Sequence, residues 1–159
     1  MANIIYATII GKQQGLISAG CSTLDSIGNK FQCRHEDQII IYELVSHMTR
    51  EEHVMLHPLE IRKPIDKSTP LLAQAITQNE LLDCTFLFYR TSASGGIELY
   101  FKVNLKDATL CDIRFFYPNS LTHNEVQPQE SVSFKYKSVT WEHVLAGTSA
   151  YSFWDDRVY

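Results

Sequence analysis

Residues 62–79 read RKPIDKSTPLLAQAITQN, and the reading of this stretch decides the fold. Thr69 is placed to cap a helix, its hydroxyl accepting from an otherwise unpaired first-turn N–H, a device worth about 1 kcal/mol. Pro70 then takes the first helical position, where its missing N–H costs nothing and its fixed φ suits the turn. Leu71, Leu72, Ala75 and Ile76 follow at helical spacing, Gln74, Thr77 and Gln78 take the other side, and Asn79 is the stop. A helix this short, over about 70–79, is marginal in isolation and must lie on something larger. Nearly all the remaining chain reads as strand. The expectation is a mainly β structure with one helix packed against it.

The 159 residues suggest one domain with room for a real core. Hydrophobic residues at 45% and charged ones at 20% are ordinary for a folded soluble protein. With 14 basic and 18 acidic side chains the net charge is −4, and no Lys/Arg cluster offsets it, which argues against nucleic acid as a partner. Cys21, Cys33, Cys84 and Cys111 form no CxxC pair and no metal-like spacing, so they read as reduced thiols, mostly buried, of a cytosolic protein. The start, MANIIYATIIGK, lacks a basic n-region and a small-residue cleavage site. No run approaches the roughly 18 apolar residues of a membrane span, so no membrane insertion is expected.

Outward from the helix, the strands differ in kind. Ile4 to Ile10 is apolar on both parities, the mark of a strand covered on both faces. Leu16 to Ser22 reads as a short second strand, and Thr23 to Asp37 as polar turns. Gln38 to Val45 reads as one strand, with Ile40, Tyr42 and Leu44 on one face and Ile39, Ile41, Glu43 and Val45 on the other. His47 to His57 reads as a protruding hairpin or extended loop, and Leu59 to Arg62 as the strand that leads into the helix. Beyond the helix, Cys84, Phe86 and Phe88 alternate with Thr85, Leu87 and Tyr89, and the SASGG tip at 92–96 supplies hairpin chemistry. Its partner sets Ile97, Leu99, Phe101, Val103 and Leu105 against Glu98, Tyr100, Lys102, Asn104 and Lys106, one face core and the other wet. Cys111, Ile113, Phe115 and Tyr117 continue the apolar parity. Val132, Phe134 and Tyr136 oppose Val139 and Trp141 in parity, which a β-bulge near Lys137–Ser138 would reconcile. The tail AGTSAYSFWDDRVY, 146–159, is too aromatic for a free polar terminus: it packs on its own barrel or contacts another copy.

Catalytic and metal chemistry find little support. HVMLH at 53–57 spaces two histidines as HExxH does, but Val54 stands at the general-base position and Pro58 biases His57 out of a helix. Neither a G-x-S-x-G elbow nor a Gly-rich phosphate loop is present. The paired carboxylates Glu51–Glu52 and Asp155–Asp156 read as solvated charges or interface partners. No catalytic, cofactor-binding or metal residue is expected, and no cofactor. By elimination the chain contributes shape and surface.

Several segments resemble the haemolysin-coregulated protein (Hcp) family of bacterial type VI secretion systems, and its enterobacterial branch in particular. They are IDKSTP (65–70), GLISAGCSTLDSIGNK (15–30), HEDQI (35–39), FYRTS (88–92), SLTHN (120–124), QPQESVSFKYKS (127–138) and the tail. The resemblance spans the whole chain, departing from the branch pattern mainly over Ile40 to Ile61. It implies one tube domain over 1–159: a compact β-barrel of two antiparallel sheets with one flanking helix, closing into homohexameric rings that stack into a hollow tube. It further implies a contractile sheath around the tube, a spike protein of the VgrG type at its tip, and secreted effector proteins carried in the lumen. Assembly would be cytoplasmic, followed by secretion without a signal peptide. With no extension after Tyr159, the chain is not expected to be an Hcp carrying a fused toxin domain.

Ring formation also makes physical sense of the residues. A small β-domain exposes unpaired strand margins, a liability that identical neighbours remove by a closing head-to-tail interface. The doubly apolar first strand and the Ile39–Ile41 run offer surface for it, and about 1,000 Å² or more per contact would be needed. Glu43, Glu98, Lys102, Asn104 and Lys106 are candidates to face the lumen, the alternative being plain solvent exposure. His47, Arg50, Glu51, Glu52 and His53 are candidates for ring stacking. The competing readings are a monomeric ligand-binding or adhesive β-barrel, a phage tail-tube subunit and, last, an enzyme.

Overall fold

The computed structural model describes residues 3–155; Asp156 of the acidic pair and Tyr159 of the aromatic tail lie outside the described residues. In chain order the elements are β1 (Asn3–Gly11), β2 (Gly15–Leu16), α1 (Leu24–Ile27) with a 3-10 turn at Gly28–Lys30, β3 (Ile39–Ile41), β4 (Glu43–Val45), β5 (Met48–Arg50) and β6 (Val54–Leu56). β7 (Leu59–Pro64), α2 (Ser68–Gln78), β8 (Leu82–Thr91), β9 (Ile97–Phe116), β10 (Gln129–Lys135), β11 (Ser138–His143) and β12 (Thr148–Phe153) complete them. Every pairing is antiparallel.

β9 belongs to two sheets. Its first half pairs with β8 and β11, and its second half with β10. The first sheet therefore runs from β1 through β8, β9 and β11 to β12, and the second from β9 through β10 and β7 to β4. The turn between them falls at Asp107, a non-glycine residue at φ 49°, with inward-facing Leu105 and Ala108 on either side of it. What reads as two segments, 97–106 and 111–117, is thus one strand of 20 residues. A second irregularity, where Phe134 opposes Leu110 and Ser133 opposes Asp112, leaves Leu110 and Ile113 in the core. Cys111 is turned outward as a result; Phe115 and Tyr117 keep the parity of Ile113 but are exposed where the strand ends, against the expectation that all three continue the apolar face.

The barrel closes through residues 39–45. This stretch is not one strand: it breaks at Tyr42, so that β3 pairs with β1 and β4 pairs with β7. Tyr42 N–H donates to the Arg62 carbonyl at 2.7 Å across the corner. Ile39 and Ile41 point inward and are buried within the single chain, so of the isoleucine run only half-buried Ile40 faces outward. A second corner lies at Tyr136–Lys137. There the chain crosses from the second sheet to the first, a larger change of direction than the bulge expected at that place. Val132, Phe134, Tyr136 and Val139 are all buried as a consequence.

α2 sends Leu72 and Ala75 into the same core as Phe86, Val103, Leu105 and Phe134. It begins at Ser68, before the expected cap: Thr69 is inside the first turn, and the capping carboxylate is Asp66, whose Oδ1 accepts from Ser68 N–H at 2.9 Å. Thr69 Oγ1 returns the favour by accepting from Asp66 N–H at 3.1 Å, a reciprocal box of the kind that satisfies two orphan donors. Pro70 still lies in the first turn, where no donor is needed. Asn79, at φ 51°, ends the helix as expected. Two smaller expectations are corrected: β2 is only two residues long, and the supposed polar turns hold the single helical turn α1.

Candidate assembly surfaces

In its ladder the hairpin β5–β6 pairs only with itself, as the hairpin expected over 47–57 should, but it is anchored on the barrel through buried Leu56 and partly buried Val54. Its base is held by His47 and His57, whose rings stack at 4.4 Å, and by His57 N–H donating to the His47 carbonyl at 3.0 Å. Thr49 Oγ1 lies 3.0 Å from His57 Nε2. Arg50, Glu51 and Glu52 are exposed at the tip and His53 is half-buried, while Met48 and Met55 expose apolar surface along the arm. A groove of about 550 Å³ separates this arm from Trp154 and Asp155.

β12 is the outer strand of the first sheet and pairs only with β11, leaving its far edge open among the described residues. Tyr151 and Phe153 stand exposed on it, 5.8 Å apart edge to face. Of the two alternatives expected of the tail, packing on its own barrel is seen in its backbone and in Trp154, which packs on Tyr136 at 4.9 Å, while Tyr151 and Phe153 are left exposed.

The five polar candidates separate. Lys102, Asn104 and Lys106 share the outer face of the first sheet, opposite Glu142, Thr140 and Ser138 of β11. Asn104 Nδ2 donates to Thr85 Oγ1 at 2.8 Å on that face. Glu98 does not join them. A register shift skips Tyr100, so Glu98 opposes Arg90, three residues along the regular strand β8 from the Leu87 that opposes Lys102. Three residues along a strand reverse the face. Glu98 is held there by Arg90 Nε at 2.9 Å. Glu43 lies on the second sheet, where it meets Arg62 Nε at 3.3 Å.

An ionic cluster inside the barrel escaped the sequence reading. Lys63 shares the inward parity of Leu59 and Ile61 on β7, and Glu130 that of Val132 and Phe134 on β10. Lys63 Nζ reaches Asp66 Oδ1 at 3.0 Å, the Pro64 carbonyl at 3.0 Å, Thr69 Oγ1 at 3.4 Å, and Glu130 Oε1. Asp66 and Thr69 are also the box that starts α2, so the cluster fastens the helix to two strands. Beside it, burial and then the Asp66 charge push the Cys21 thiol up to about 12. The signal was present: a Lys and a Glu at core parity of two strands. Cys21 and Cys84 are buried as expected, but Cys33 and Cys111 are exposed. Among the described residues no group of three or more His, Cys, Asp and Glu side chains is placed to hold a metal ion, and no helix is long and apolar enough to cross a membrane.

Known proteins share this arrangement. A family model described as "Type VI secretion system effector, Hcp" matches residues 11–143. The "Major exported protein" of Pseudomonas aeruginosa is 36% identical over 170 residues, covering 99% of each protein. The "Uncharacterized protein YhhZ" of Escherichia coli is 36% identical over 149 residues; the match takes in 93% of this chain but 37% of that protein, so the chain spans well under half its length. The solved structure "Secreted protein Hcp3 from Pseudomonas aeruginosa" superposes with a TM-score of 0.88 at 36% identity, covering 98% of this chain and 100% of that one. The family that these likenesses define is one of structural, secreted tube proteins and not of enzymes. The chain belongs to the Hcp family of type VI secretion proteins.

Proposed function

We propose that residues 1–159 form one tube domain, six copies of which close into a ring. Rings stack into a hollow tube that is assembled in the cytoplasm, enclosed by contractile sheath proteins, tipped by a VgrG-type spike and expelled without a signal peptide. Effector proteins travel in its lumen. The open edge of β12 is the observation that carries this reading. The barrel closes through 39–45, and yet the first sheet runs on to β12, whose far edge is open among the described residues and which bears exposed Tyr151 and Phe153. A long open edge is a site for pairing with another chain. A sheet continued from copy to copy makes its outer face the wall of the passage, which assigns Lys102, Asn104 and Lys106 to the lumen and leaves Glu43 and Glu98 off it.

Stacking falls to the hairpin and its residues His47, Arg50, Glu51, Glu52 and His53, because its ladder pairs only with itself and its tip carries exposed charge at Arg50, Glu51 and Glu52. Nucleic acid, membrane insertion and cofactors have no part in this reading. Negative-stain images of the purified chain test it. Annular particles with six-fold symmetry are expected; a field of single globules at high concentration contradicts it.

A further inference from the structure

One corner of the first sheet's outer face is apolar and covered. Ile40 of β3, Tyr6 of β1, Leu87 of β8 and Lys102 of β9 stand opposite one another in register, so they share the face assigned above to the passage. Tyr6 points away from the core side of β1, where Ala7 and Ile9 lie, and yet it is 1% exposed. What hides it is the stretch 31–38, which runs from the 3-10 turn to β3 without regular secondary structure. The His35 ring lies flat on the Tyr6 ring at 4.0 Å, with 6° between their planes, and meets the edge of Tyr89 at 5.4 Å. Tyr6 O–H donates to Gln32 Oε1 at 2.8 Å.

The two halves of this stretch are fastened differently. Residues 36–38 are tied to residues 20–22: Ser22 N–H donates to the Glu36 carbonyl at 3.1 Å, Gly20 N–H to Asp37 Oδ1 at 3.0 Å, and the Ser22 hydroxyl to the Gln38 carbonyl. Residues 31–35 rest on the sheet through the Gln32 bond and the His35 ring, while Phe31, Cys33 and Arg34 are exposed. Arg34, near the junction of the halves, holds φ at 75°, a left-handed conformation that a residue with a side chain adopts at a cost.

We propose that residues 31–35 are a strap that lifts off the first sheet while the barrel stays folded, with His35 as its latch. Lifting breaks no strand ladder, because the strap belongs to none, and it frees the Arg34 backbone. His35 also suits release, since an imidazole with its two ring nitrogens is taken up by water more readily than a hydrocarbon ring. Closed, the corner is roofed by a stretch carrying exposed Arg34, Glu36 and Asp37; open, it bares Tyr6, Leu87 and Tyr89. The strap therefore turns a charged part of the wall into an apolar one. Its place on a wall rests on the tube reading above; the lifting itself does not.

Acetylation of tyrosine by N-acetylimidazole tests the strap, read residue by residue by peptide mass spectrometry over a urea series below the unfolding transition. Burial and then the nearby Tyr89 push the Tyr6 phenol up to about 12, so a closed strap keeps it un-ionised as well as covered. Tyr136, 4% exposed in the core cluster, is the internal reference. Tyr6 is expected to react at a rate that urea barely changes, and Tyr136 at a rate that climbs with urea as global unfolding does. His35→Ala is expected to speed Tyr6 about tenfold, the scale of one aromatic stack, and to leave Tyr136 unchanged. His35→Phe keeps a ring on Tyr6, which is then expected to react no faster than in the native chain. Tyr6 that follows Tyr136 across the urea series overturns the strap. So does His35→Ala without effect on Tyr6, His35→Ala that speeds both tyrosines equally, or His35→Phe that reacts as fast as His35→Ala. Light scattering separates this proposal from the tube reading. Rings whose Tyr6 stays in step with Tyr136 overturn the strap and leave the passage standing. A strap that lifts in a lone chain of 18.2 kDa supports the strap and overturns its place on a wall.

Discussion

Lys63 on β7 and Glu130 on β10 face each other across the ladder with both side chains shielded from water, in positions otherwise filled by aliphatic and aromatic groups. Asp66 completes the cluster from the loop that starts α2. A buried ion pair contributes little net stability over an apolar substitute, but losing one partner strands the other in a medium that solvates charge poorly. Its role here is to fix register and helix position.

Replacing Lys63 by Met should therefore cost about 3–5 kcal/mol, since it leaves two buried carboxylates with no cation. A lower urea midpoint at pH 7 reads this out. Lys63→Met/Glu130→Met should be more stable than Lys63→Met alone although it changes more of the chain. A single variant as stable as the native protein would contradict the account.

Thr69 is expected to matter by its hydroxyl. It accepts from Asp66 N–H and donates to Glu130 Oε1 at 3.1 Å. Thr69→Ala should lose about 1–2 kcal/mol and Thr69→Ser most of that loss should regain, in the same denaturation experiment.

Gly11 ends β1 directly under the Glu80 carboxylate, and a Cβ there would overlap Glu80 Oε2 and crowd Ile17 Cδ1 at 3.2 Å. Glu80 is buried and accepts from Gln14 N–H at 3.3 Å, so it has little room to withdraw. Gly11→Ala should destabilise by about 1–3 kcal/mol, as overpacking does. In a Glu80→Ala background the same change should cost much less, by thermal melting of the four proteins.

The cysteines should separate by accessibility and pH. Burial pushes the Cys21 thiol up to about 12 and raises Cys84 and, less enclosed, Cys111. A raised thiol pKa means less thiolate at any pH below it and slower alkylation. Iodoacetamide at pH 8 should modify Cys33 and Cys111 in the native chain, and Cys21 and Cys84 only after unfolding. For Cys111 the rate should still be climbing between pH 8 and pH 9, by peptide mass spectrometry.

Much of this architecture is legible in the residues, because most strands have one wet face and one dry face and the helix has a clear period. Legibility fails where the chain changes sheet. Asp107 takes a left-handed conformation without being glycine, and the skipped Tyr100 reverses a face that alternation alone would assign to Glu98. The Ile39–Val45 run hides its corner at Tyr42 because both parities are apolar, so a break leaves no trace in the pattern. The helix start was shifted since two side chains three residues apart, Asp66 and Thr69, cap each other and either alone looks sufficient. For the polar surfaces, charge in sequence says which residues avoid the core, and only the sheet order says that Lys102, Asn104 and Lys106 share a wall while Glu43 is on another.

Self-assembly through the open margin of the first sheet is the central claim, and multi-angle light scattering of the eluted chain measures it most directly. The account predicts one principal species of six times 18.2 kDa, about 109 kDa, stable on dilution. A single species of 18.2 kDa that persists at high concentration would contradict it.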